Sequence, residues 1–177
     1  MTPALGACRI GACEFTDDDH FCVLESLVVQ LGAKEVVLPR DLAEQHPVDG
    51  RRIRELLSRC AALPSERPKA LFATKSLDQD LRRLLRDSNL EQHRPVLDRP
   101  LASAATAAVI SFLELPADQD NFGRYSLSLH DSGRYMRVDA EAQRALNVLR
   151  GKADTADTFS LYGLLNRCRT PMVRRSR

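Results

Sequence analysis

The tightest constraint on this chain is the stretch from Phe21 to Pro39, where a helical period gives way at a glycine to a β-branched run. Phe21, Leu24, Leu27, Val28 and Leu31 recur at spacings of three and four, so a helix here turns one apolar face to a core. Gly32 stands where a left-handed C-cap is needed, and Lys34-Glu35-Val36-Val37-Leu38 then reads as a strand ended by Pro39. Just upstream, Thr16-Asp17-Asp18-Asp19 supplies a capping hydroxyl with a carboxylate three residues on, which predicts a helix start at Thr16. Arg9 to Phe15 can form a short strand before it. Strand, helix and strand in succession is the pattern of an α/β domain.

The alternation continues. Ile53, Leu56, Leu57 and Cys60 share one side of a predicted surface helix over residues 49–60, with Arg51, Arg52, Arg54 and Arg59 spread around the rest. Pro64 and Pro68 bracket an expected connection. Ser76 to Arg86 is expected to form a second charged helix with Leu77, Leu81, Leu84 and Leu85 inward and Asp78 or Asp80 near its positive end. His93, Pro95 and Pro100 punctuate a loop, and the alanine-rich run Leu101 to Leu115 is expected to be the most buried helix. The polar stretch Ala117 to Asn121 is the best candidate boundary. After it Tyr125 to Leu129 alternates strictly, and Asp131-Ser132-Gly133 turns it into a second expected strand, Tyr135 to Val138. Asp139 then caps a helix running to Arg150 before Gly151, and Ser160 caps a short one through Cys168.

Composition narrows the class. Of the 177 residues 44% are hydrophobic and 28% charged, which is too apolar for disorder throughout. The richest apolar run, Leu101 to Leu115, is broken by Ser103, Thr106, Ser111 and Glu114, so no membrane span is expected. The first nine residues lack the basic start and long apolar run of a secretory signal, which points to a reducing compartment. Five cysteines at irregular spacings, with no Cys-x-x-Cys pair, read as buried free thiols rather than zinc or redox ligands. With 26 basic against 24 acidic residues the net charge is only +2, so any DNA contact must be local.

Candidate chemistry is sparse. Asp17, Asp18 and Asp19 offer carboxylates for magnesium, but three consecutive ones at a helix start point in different directions, and helix capping is expected instead. His20, His46, His93 and His130 have no partner at i+4 and no adjacent nucleophile. The C-terminal Arg167, Arg169, Arg174, Arg175 and Arg177 could contact phosphates, yet no aromatic residue is interleaved there to stack a base. The expectation is a solvated tail. No catalytic, cofactor-binding or metal residue is nominated, and DNA-binding residues stay unassigned.

The second half carries a resemblance. Asn121-Phe122-Gly123-Arg124-Tyr125, Tyr135-Met136-Arg137-Val138-Asp139 and Arg144-Ala145-Leu146-Asn147-Val148 resemble the connector-to-lever junction of MutS proteins, and Leu164 to Pro171 resembles the lever motif that follows it. Upstream, Gly11 to Phe15, the acidic Asp17 to Asp19, and Leu31 to Pro39 resemble the eukaryotic MutS homologue 2 branch of that DNA mismatch repair family. The resemblance implies a partial ribonuclease-H-like α/β connector over residues 9–120, lacking its first strands, with a mixed sheet flanked by helices. Residues 121–171 would be the junction and the first helices of an all-α lever domain, with residues 1–8 and 172–177 divergent.

Intact members bind mismatched DNA and hydrolyse ATP with magnesium. This sequence has no Gly-x-x-x-x-Gly-Lys-Ser/Thr loop, so a non-enzymatic fragment without its own cofactor is expected. The implied role is an allosteric connector and docking region in the nucleus. Its implied partners are mismatched DNA, a second MutS-homologue subunit and MutL homologues. The alternatives are a stand-alone ribonuclease-H-like nuclease or a protein-binding module.

Overall fold

The computed structural model describes residues 8–87, 89–131, 138–148, 156–168 and 170. Along them lie strands β1 (Cys8–Ala12), β2 (Glu35–Pro39), β3 (Leu63–Arg67) and β4 (Tyr125–Leu129). The helices are α1 (Cys22–Leu31), α2 (Leu42–Gln45), α3 (Pro47–Arg59), α4 (Leu77–Leu84), α5 (Arg94–Leu97), α6 (Pro100–Phe112), α7 (Ala140–Ala145) and α8 (Leu161–Leu165). The α/β class holds, but the strands do not make one mixed sheet. Among the described residues there are two separate two-stranded sheets, β1 with β4 and β2 with β3, and both are parallel.

One expectation is corrected by this topology. The segment that Pro64 and Pro68 were expected to bracket as a connection is strand β3. Leu63 N–H donates to the Lys34 carbonyl and Arg40 N–H to the Arg67 carbonyl, each at 2.8 Å. The ladder therefore uses alternate residues starting at Leu63, and Pro64 falls on the open edge, where its missing N–H leaves no ladder bond unmade. Strand β4 has its own partner. It pairs in parallel with β1, Cys8 opposite Tyr125 through Ala12 opposite Leu129. The expected second strand, Tyr135 to Val138, lies almost wholly outside the described residues.

Each sheet has its own core. On β1 and β4 pack Leu77, Leu81, Leu84, Leu85, Val96, Ala107, Ile110 and Leu127, all buried. On β2 and β3 pack Val28, Ile53, Leu56, Leu57 and Ala62, with Phe21, Leu24, Val36 and Leu38 partly buried beside them. Helix α6 buries Ala102, Ser103, Thr106, Ala107 and Ile110 along one stripe of mostly small side chains, and Ala108 beside it. The two hydroxyls in that stripe are satisfied, Thr106 Oγ1 by the Ala102 carbonyl at 2.8 Å and Ser103 Oγ by the Leu97 carbonyl at 2.9 Å. Between the cores the Arg67 guanidinium lies 4.9 Å from the centre of the Phe112 ring.

Helix ends follow the sequence at several points. Gly32 caps α1 with φ 58° and ψ 38°, Asp139 Oδ1 accepts the Ala142 N–H at 2.6 Å, and Ser160 Oγ accepts the Gly163 N–H at 3.1 Å. Helices α7 and α8 are shorter than expected, ending at Ala145 and Leu165. The cysteines are free, but they are not buried: Cys8 and Cys22 are exposed and Cys13, Cys60 and Cys168 half-buried. Cys22 opens α1, where the capping loop rather than a core surrounds it. No helix among the described residues is long and apolar enough to cross a membrane.

Candidate functional site

The segment between β1 and α1 holds the densest set of carboxylates, and the structure shows what they do. Helix α1 starts at Cys22, later than Thr16, and the residue before it, Phe21, is left-handed with φ 56°. That conformation costs a non-glycine residue about 1–2 kcal/mol. Two aspartates offset it. Asp17 Oδ1 accepts the N–H groups of Asp18 and Val23, each at 2.9 Å, and Oδ2 accepts that of Leu24 at 2.8 Å. Asp18 Oδ1 accepts the N–H groups of His20 at 3.0 Å and Cys22 at 3.1 Å. The Cys22 N–H, followed by its thiol, holds the Asp18 carboxyl below the ordinary carboxylate range.

Capping is therefore carried by Asp17 and Asp18, without the Thr16 hydroxyl that the sequence suggested. Both carboxylates turn toward main-chain N–H groups of the helix start, and no three His, Cys, Asp or Glu side chains among the described residues form a group that could hold a metal ion. A third carboxylate acts across the fold. Glu14 Oε2 accepts the Leu101 N–H at 2.9 Å and the Ala102 N–H at 3.2 Å, capping α6 from the far side of the sequence. Sequence reasoning missed this tie. The only local signal was negative, since α6 begins Arg99-Pro100 without a capping side chain of its own.

Beside Glu14, β1 has one edge that pairs with no strand among the described residues. Cys8 N–H donates to the Arg124 carbonyl at 3.2 Å and His130 N–H to the Ala12 carbonyl at 2.8 Å. The parallel ladder thus uses Cys8, Ile10 and Ala12, and Arg9 and Gly11 turn their main-chain groups to that edge. Next to it runs a cavity of about 410 Å³ with a largely apolar lining that includes Ile10, Ala12, Ala102, Val109, Leu113 and Leu115. Burial there pushes the Cys13 thiol up. Main-chain groups unpaired among the described residues, beside an apolar floor, equip this place for binding. A second apolar surface lies on the chain's last described part, where Leu146, Phe159, Leu161, Tyr162, Leu164 and Leu165 are exposed.

The remaining candidates are dispersed. His20 precedes α1, His46 lies between α2 and α3, His93 ends the turn before α5, and His130 follows β4. On α3 the basic residues are partly committed to the protein itself: Arg54 donates to Glu66 through both Nε at 3.0 Å and Nη2 at 2.5 Å, and Arg52 Nη1 reaches the Asp19 carbonyl at 3.2 Å. Arg59 lies 3.5 Å from buried Glu25. Of the C-terminal arginines only Arg167 is among the described residues.

Comparison with known sequences places this arrangement in a lineage. A profile described as MutS domain II matches residues 5–126. The DNA mismatch repair protein msh-2 of Neurospora crassa is 38% identical over 165 residues, covering 93% of this chain and 18% of that protein. The DNA mismatch repair protein MSH2 of Arabidopsis thaliana is 39% identical over 168 residues, 94% of this chain and 18% of the relative. The DNA mismatch repair protein spellchecker 1 of Drosophila melanogaster is 34% identical over 177 residues. The chain thus spans about a fifth of the length of these relatives.

Proposed function

The chain belongs to the MutS family, its domain II matching residues 5–126, and from that premise we propose that it serves as the connector of a mismatch-repair protein. The observation that carries this is the match to proteins named for DNA mismatch repair along more than nine-tenths of the chain. The connector would be ribonuclease-H-like, and residues 121–171 would lead into the lever. The edge of β1 away from β4 and the apolar surface beside it suit further strands of such a sheet, and the exposed apolar residues of α8 suit neighbouring lever helices.

In this role the chain does no chemistry of its own. Recognition of mismatched DNA, pairing with a second MutS-homologue subunit and ATP hydrolysis with magnesium would be properties of the longer assembly, located in the nucleus. The connector would relay between the DNA clamp and the nucleotide site and would offer a docking surface to MutL homologues. A nuclease reading is not favoured, because Asp17 and Asp18 are occupied with main-chain N–H groups.

Titrating the full chain against the ATPase domain of a MutL homologue by calorimetry tests the docking role. Saturable one-to-one binding is expected; a folded sample that produces no heat of binding removes it.

A further inference from the structure

We draw no further inference here: the strongest candidate, the edge of β1 that pairs with no strand among the described residues together with the apolar cavity against α6 beside it, belongs to the site already described, and nothing in the structure shows what covers it.

Discussion

Removing the Glu14 carboxylate should loosen the tie between the end of β1 and the start of α6. Its Oε2 takes two of the N–H groups that α6 cannot satisfy internally, those of Leu101 and Ala102. Loss of such a cap costs about 0.5–2 kcal/mol, and because Glu14 is exposed the expected loss for Glu14→Ala is near the middle of that range, about 1 kcal/mol. In a chain of this size that lowers Tm by about 2–4 °C. Glu14→Gln keeps an acceptor oxygen but gives up the attraction of a full charge for the helix dipole, worth about 0.3–1 kcal/mol, so it should fall between the two. Thermal melts followed by far-ultraviolet circular dichroism measure the size, and amide hydrogen exchange at Leu101 and Ala102 locates it. Unchanged exchange at both amides in Glu14→Ala would refute the tie, whatever the melting temperature did.

Other perturbations have equally definite signs. Leu57 is fully buried in the second core, so Leu57→Ala should destabilise by about 2–5 kcal/mol in urea unfolding. Gly32→Ala forces a side chain into φ 58°, and should cost about 1–2 kcal/mol although a Cβ there meets no atom within 4 Å. Because the folded pKa of Asp18 is depressed, its stabilisation is present above the ordinary carboxylate range and is lost as pH falls through the folded value. Wild-type Tm should therefore drop on acidification, and Asp18→Asn should flatten that drop. The same substitution removes the carboxylate that raises the Cys22 thiol pKa, so Cys22 should alkylate faster in mildly alkaline buffer.

Local features of the fold were legible where one residue type answers one geometric need. Gly32 at a left-handed C-cap, Asp139 and Ser160 at N-caps, and the leucines of α4 facing inward all follow from periodicity and capping rules. Strand pairing was not legible. β1 and β4 lie far apart in the sequence, and the alternation of Tyr125 to Leu129 states which face is buried but not which strand lies beside it. Pro64 misled because a proline argues against a strand unless that position faces an open edge, which only the register reveals. Glu14 reaching α6 and Arg86 reaching the sheet are contacts across the sequence, invisible to any window along it. The cysteines were misplaced because a frequency rule stood in for position. Cys8 and Cys22 sit at element starts, where neighbours are few.

The connector role is tested most directly by exchange within a relative. Residues 5–126 would replace the matching segment of the Arabidopsis thaliana mismatch-repair protein, and the chimera would be assayed for its mutation rate in cells lacking the native copy. The account predicts a rate near that of the intact relative. A chimera that accumulates to normal levels and still leaves the full mutator rate would contradict it.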